Sequence, residues 1–312
     1  MNIWVDANGW PVSPTVLLGC LIAVTLYVRG WCVLVKEEQV KGASRVTTPT
    51  FTDSNTGEHQ WDSWFWRGIY FLAAIFVFLL AASTPIDILS GRLFWVHMVQ
   101  HLLLLVVMAP LLVAGAPLLP VWLGLPTWVR NLVKAPARFK AGGAFYRLVS
   151  QVGHWLRQPA ISCALLVLGV WIWHWPPLYD LALTNDAIHD WAEHITFQAV
   201  SLLFWTQVIP SYPLRPRLGY IGRIGCLGFA IAQNVVLAAL LGFAQAPLYA
   251  PYAHLATLSG GLSAIQDQQF GAGIMWTFGD FPFGIAFSIL LQQWLASQSE
   301  DTGIAIHPHN AE

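Results

Sequence analysis

The sequence predicts an all-α, polytopic membrane protein: a seven-transmembrane-helix bundle with its N-terminus outside and its C-terminus cytoplasmic. Three observations carry that expectation. Hydrophobic residues make up 56% of the chain and charged residues only 10%, where a soluble domain carries about 25% charged residues. So few charges cannot cover a water-facing surface of this size, and the apolar surface must face lipid. Apolar stretches long enough to cross a bilayer, about 20 residues each, recur along the chain. Lys and Arg gather on one side of them.

The spans read as Pro14–Val35, Trp64–Ala82, Leu93–Val113, Ala160–Trp175, His189–Ile209, Tyr220–Phe243 and Phe270–Trp294. The fourth is short and extends further at its N-terminal end. The third continues past Pro110 towards Leu123, where Pro117 and Pro120 break it. Arg29, Lys36, Lys41, Arg45 and Arg67 flank the first connection. Arg130, Lys134, Arg138, Lys140, Arg147 and Arg157 flank the third, and Arg215, Arg217 and Arg223 the fifth. Only Arg92 lies opposite, so 14 of the 15 positive charges share one side, which the positive-inside rule makes cytoplasmic.

Residues 1–63 therefore hold one helix and a mobile loop rich in Thr, Ser and Gly. Residues 64–295 form the rest of a single membrane domain, and residues 296–312 a polar cytoplasmic tail. The connection over 124–158 is expected to carry an amphipathic helix, Val129 to Leu148, lying on the membrane surface. Trp171, Trp173 and Trp175 read as an interfacial belt. A net charge of −1 gives no field for nucleic acid. Cys20, Cys32, Cys163 and Cys226 form no CxxC pair, so neither a disulfide framework nor a thiolate metal site is expected. No basic leader precedes the first span, which reads as a retained helix.

Of the ten histidines, His59, His154, His307 and His309 fall in cytoplasmic segments. The other six share the outer level: His97 and His101 in the third span, His174 ending the fourth, His189 and His194 opening the fifth, and His254 in the last external connection. Ionisable residues in spans are expensive and usually face the bundle interior. His97 and His101 are i,i+4 and share a helix face about 6 Å apart, the spacing of a helical metal-binding pair. His189 and His194 are i,i+5, so on an α-helix they point apart. Their i,i+4 partners are acids, His189 with Glu193 and His194 with Asp190. A carboxylate beside an imidazole sets its tautomer and raises its basicity. Met275 lies at a similar level in the last span. Imidazole plus thioether suits copper better than zinc or magnesium. His97, His101 and Met275 supply such a set, completed by His174 or His194. Asp280, before Pro282, reads as the cap of a broken helix or part of a proton path.

HMVQHLLLLVVMAPLLVAGAP at 97–117 resembles the signature helix of the CtaG family of caa(3)-type cytochrome c oxidase assembly factors. WIWHWPPLYDLALTNDAIHDWAEHITF at 171–197, APLYAPYA at 246–253 and DQQFGAGIMW at 267–276 are similar to its other three motifs, in order. Gly271-Ala272-Gly273 departs from the adjacent glycines expected there. The resemblance covers residues 64–295. It implies a non-enzymatic, multi-pass protein of the bacterial plasma membrane, partnered by copper-bearing oxidase subunits. His97, His101, His174, His194 and His189 are its motif histidines, and Asp267, Gln268 and Met275 fall in the last motif. Asp190, Glu193, Asp267 and Gln268 are expected to support the ligands.

The first functional expectation is thus an assembly factor that holds or delivers copper at an outer-leaflet histidine site. Such a site needs neutral imidazoles, so binding weakens as pH falls through about 6.5. The alternatives are a redox protein clamping haem b between histidines of different helices, and a copper transporter. Against the last, Asp280 is nearly alone at depth.

Overall fold

The computed structural model describes residues 14–44, 63–82, 85–134, 140–185, 187–253 and 262–304. His59, His254, His307, His309, much of the 36–63 loop and the end of the tail lie outside the described residues, as does the side chain of Asp190. The described part is helical in every regular element. The helices are α1 (Pro14–Ser44), α2 (Trp64–Ala82), α3 (Pro85–Ser90), α4 (Phe94–Leu102), α5 (Ala109–Ala114), α6 (Leu118–Gly124), α7 (Thr127–Lys134), α8 (Lys140–Leu156), α9 (Pro159–Trp173), α10 (Pro176–Thr184), α11 (His194–Val208), α12 (Tyr220–Gly242), α13 (Ala250–Ala253) and α14 (Ala264–Ile304). Two π-helical turns complete the list. Leu103–Met108 joins α4 to α5, and Ile188–Glu193 opens α11.

Among the described residues, five helical stretches are long and apolar enough to cross a membrane: Pro14–Glu38, Trp64–Ala82, Phe94–Ala114, Tyr220–Gly242 and Ala264–Gln298. A sixth arises if α8 and α9, bent by 74°, make one span. α9 and α11 have 15 residues each. At 1.5 Å per residue that is about 22 Å, short of the roughly 30 Å hydrocarbon core. α11 gains length from the π turn that runs straight into it.

Proline explains the irregular middle of the third span. In the π turn the Ala109 N–H reaches back five residues to the Leu104 carbonyl. In that register Pro110, which has no N–H, would leave the Leu105 carbonyl bare. Two side chains of α11 supply the missing donors: Ser201 Oγ at 2.6 Å and Trp205 Nε1 at 3.1 Å. In lipid such a carbonyl must be satisfied by a neighbouring helix, so this repair also locks α11 against the third span. The span breaks as expected before Pro117, and α6 resumes at Leu118. There α6 crosses α1 backbone to backbone: a Cβ on Gly124 would stand 1.8 Å from the Leu26 carbonyl oxygen.

Other expectations change. α14 is one continuous helix through Pro282, so Asp280 caps no break. Instead Asn234 Nδ2 of α12 donates to Asp280 Oδ1 at 2.8 Å and to the Met275 carbonyl at 3.0 Å. α14 also runs to Ile304, so the first turns of the expected tail are helical. The described parts of the amphipathic segment are helical, α7 and α8. Their apolar side chains, among them Trp128, Leu132, Phe145 and Trp155, are exposed. Of the three belt tryptophans Trp175 is exposed and Trp173 buried, while Trp171 donates to Gln233 of α12 at 3.0 Å.

A candidate metal centre

The site begins at the N-terminus of α4, whose first N–H groups have no partner within the helix. Asp267, in the first turn of α14, accepts from Phe94 N at 2.9 Å and Trp95 N at 3.1 Å. A carboxylate at that end also opposes the positive pole of the helix. Gly271 permits the approach, since a Cβ there would meet the Phe94 ring at 2.5 Å. Gln100, fully buried, donates to the Ala81 carbonyl at 3.0 Å and to Asp87 Oδ1 at 2.9 Å. These contacts fix the height and rotation of α4, and with them His97 and His101. The two rings lie 4.2 Å apart, centroid to centroid, as the i,i+4 spacing predicts.

His189 and His194 do not point apart. The π turn carries the His194 N–H back to the His189 carbonyl, five residues earlier. A π turn brings i and i+5 onto one face, and the two rings are 4.3 Å apart. His189 stands 5.2 Å from His97 and His194 5.7 Å from His101. Glu193, fully buried, is carried into the middle. Its Oε1 lies 3.5 Å from His101 Nε2 and 3.8 Å from His97 Nε2, too far for well-formed hydrogen bonds. One ligand atom from each of His97, His101, His189 and Glu193 falls within 4.8 Å of the others. Glu193, expected behind the ligands, thus lies among the histidine nitrogens.

The tautomer of His97 follows from a short chain of bonds. Tyr252 of α13 donates its hydroxyl hydrogen to the Ser90 carbonyl at 2.7 Å, and its oxygen lies 3.2 Å from His97 Nδ1. A carbonyl only accepts, so the tyrosine hydrogen is committed to it. The His97–Tyr252 bond then requires the imidazole hydrogen on Nδ1. Nε2 is left with a lone pair, buried and without a partner. His174 shows the same device: Nδ1 lies 2.7 Å from the Val170 carbonyl, and its Nε2 is buried and unpartnered. Both nitrogens of His101, Nε2 of His194 and both carboxylate oxygens of Glu193 are also buried without hydrogen bonds.

Residues 248–252, after α12, close over this group. Gln268 accepts from Leu248 N at 2.7 Å and donates to the Leu241 carbonyl at 2.9 Å, so it ties the loop after α12 to α14. Tyr249 donates to the His174 carbonyl at 3.1 Å. Asp180 of α10, outside the spans, has its carboxyl pushed above the ordinary range by burial, offset in part by a hydrogen bond from the Ala250 N–H. Tyr179 stacks on Tyr249 at 3.9 Å and lies 5.1 Å from His97. Asp267 and Gln268 thus act on the helix and loop that surround the histidines. Met275 is buried and, with His101 and His174, lines a cavity of about 50 Å³.

The roles of Tyr252 and Glu193 escape a reading by helical spacing. The π register of residues 188–193 is invisible in hydrophobic periodicity, and Tyr252 lies 155 residues from His97. A Tyr inside APLYAPYA was the available signal for the second.

The description of cytochrome c oxidase caa3 assembly factors matches residues 51–297. Curated relatives include uncharacterized proteins of Mycobacterium bovis and Mycobacterium tuberculosis, each 26% identical over 232 residues, covering 73% of this chain and 34% of the relative. One from Mycobacterium leprae is 24% identical over 228 residues, with the same coverage. The chain spans about a third of the length of these relatives. No solved structure matches.

Proposed function

The chain belongs to the cytochrome c oxidase caa3 assembly factor family, and from that premise we propose that it holds or delivers copper through the buried His–Glu cluster while the oxidase matures. One observation carries the reading. Lone pairs of His97, His101, His194 and Glu193 converge in a membrane interior with no hydrogen bond to satisfy them. Burying a polar group without a partner costs about 1–3 kcal/mol, and a charge more. A metal ion offsets that cost at every donor it touches. Three imidazoles and a carboxylate fit copper or another borderline divalent ion. His97 and His101 with His189 and Glu193 would hold it, His194 stands beside them, and Tyr252 keeps the His97 lone pair exposed to it.

Family membership implies an oxidase partner and a membrane setting. The copper-bearing subunits are the partners this chemistry requires. The location is the bacterial plasma membrane. The topology is seven spans with the N-terminus outside, supported by the charge asymmetry and by the continuous run from the π turn into α11. The cluster then faces the outer leaflet. The cavity beside the cluster, about 50 Å³, is far below the roughly 300–1,000 Å³ of organic-ligand pockets, which favours an ion over haem.

The test is metal analysis of the purified, detergent-solubilised chain. A divalent ion, Cu(II) or Zn(II) as its surrogate, should bind once per chain. His97→Ala and Glu193→Gln should each lose that binding while the protein still accumulates in the membrane. In cells, His97→Ala should lower oxidase activity as gene deletion does, with transcripts of the oxidase subunits unchanged. A full metal complement in both variants would sink the reading.

A further inference from the structure

The cavity next to the cluster has a different donor chemistry. Met98 and Met275 line it, together with His101, His174 and Asn234. It extends inward to Gly279 and Phe283 of α14, and the rest of its wall is mainly apolar. No carboxylate is among its lining residues. His174 presents the lone pair of Nε2, because its hydrogen is committed to the Val170 carbonyl. At about 50 Å³ the space exceeds what one water needs, about 10–15 Å³, and is too small for an organic ligand.

We infer that this cavity is a second metal position, specific for a soft monovalent ion, Cu(I), held by Met98, Met275 and His174 with His101 shared between it and the His–Glu cluster. Thioethers and imidazole select Cu(I). With no carboxylate in the wall, a divalent ion would bring charge that nothing balances in a low-dielectric interior. Glu193 gives the cluster the opposite preference. His101 belongs to both: its Nε2 lies 3.5 Å from Glu193, its ring lines the cavity, and neither ring nitrogen is hydrogen-bonded. The inference rests on reading the cluster as a metal site only for the sharing of His101. The cavity's own donors stand apart from it.

Silver(I) serves as a redox-inert probe for Cu(I), and Zn(II) as one for the divalent position. The full chain is used with Cys20, Cys32, Cys163 and Cys226 each changed to Ser, so that thiols do not compete. That chain should bind one Ag(I) and one Zn(II). Met98→Leu with Met275→Leu nearly preserves volume, a class of change that usually costs under about 1.5 kcal/mol. It should weaken Ag(I) at least tenfold and leave Zn(II) within twofold. Glu193→Gln should do the reverse. Unchanged Ag(I) affinity in the double Met variant, or parallel loss of both ions, overturns the second position. Loss of Zn(II) binding in the parent chain with Met-dependent Ag(I) retained overturns the cluster reading alone and supports the cavity. If the Met variant fails to fold, X-ray absorption of the Ag(I)-loaded parent decides. Sulfur in the silver shell supports the inference, and a shell of nitrogen and oxygen only overturns it.

Discussion

Tyr252→Phe removes one oxygen and tests how the His97 lone pair is presented. The ring stays, with its edge contact to Phe94 at 5.9 Å and its packing near Tyr179 at 6.1 Å. Two bonds disappear: the donation to the Ser90 carbonyl and the acceptance from His97 Nδ1. Both partners are almost fully buried, so each orphaned group costs about 1–3 kcal/mol. Without the tyrosine oxygen, Nδ1 keeps only the Ser90 carbonyl as an acceptor, and the imidazole can more readily move its hydrogen to Nε2, the atom facing Glu193 at 3.8 Å. That tautomer cannot ligate through Nε2. Loss of such a supporting bond typically costs about 10–100-fold in metal affinity, or about 1.4–2.8 kcal/mol at 1.4 kcal/mol per tenfold. The assay is competition titration of the purified protein with a chelator of known affinity, beside His97→Ala. Tyr252→Phe should fall between the wild type and His97→Ala. Affinity within threefold of the wild type, with His97→Ala devoid of metal, would refute the tautomer argument.

Asp267→Asn removes the charge that caps α4 and should lower stability by about 0.5–2 kcal/mol, seen as a lower thermal midpoint in detergent with metal stoichiometry retained. Ser201→Ala combined with Trp205→Phe strips both donors from the Leu105 carbonyl; a loss of about 1–3 kcal/mol is expected, and an unchanged midpoint would show that the carbonyl finds another partner. Reporters fused after residue 158 and inserted near Asn185 should read cytoplasmic and external respectively, and the reverse pattern would place the cluster on the other side of the membrane. Metal-free Glu193→Gln should unfold at a higher temperature than the metal-free wild type, because it removes a buried ionisable group, yet gain nothing from added metal.

The parts of the fold set by composition and period were legible. Trp64–Ala82 emerges as read, and Tyr220–Phe243 differs by one residue at its end. The pairing of His97 with His101 was legible because a single helical turn decides it. What could not be read depends on registers and partners that hydropathy does not encode. One extra residue in the turn at 188–193 rotates His189 and His194 onto a common face and sends Glu193 inward. The cap on α4 comes from a carboxylate 173 residues away, and the lock on His97 from a hydroxyl 155 residues away. The rule that proline ends a helix is relaxed in membrane helices, and α14 runs on through Pro282.

Contrast within the bundle is the strongest argument that the cluster is kept for a ligand. Elsewhere this chain goes to lengths to satisfy its backbone. A proline-freed carbonyl receives two donors from another helix, the open end of α4 receives a remote carboxylate, and Gln268 bridges a loop and two helices. Buried side-chain atoms without partners also occur elsewhere, such as Gln207 Oε1 and both amide atoms of Gln198, yet they are most concentrated around His97, His101, Glu193 and His194. Each costs folding free energy of about 1–3 kcal/mol, and the sum approaches the whole margin of a typical protein, about 5–15 kcal/mol. Their tautomers are not left to chance either: His97 and His174 each spend their one hydrogen on an oxygen that keeps the other nitrogen's lone pair free. Random burial of polar side chains would not align lone pairs in this way. A bundle that needed only stability would place apolar residues here, and the proposed metal accounts for the donors that stand here instead.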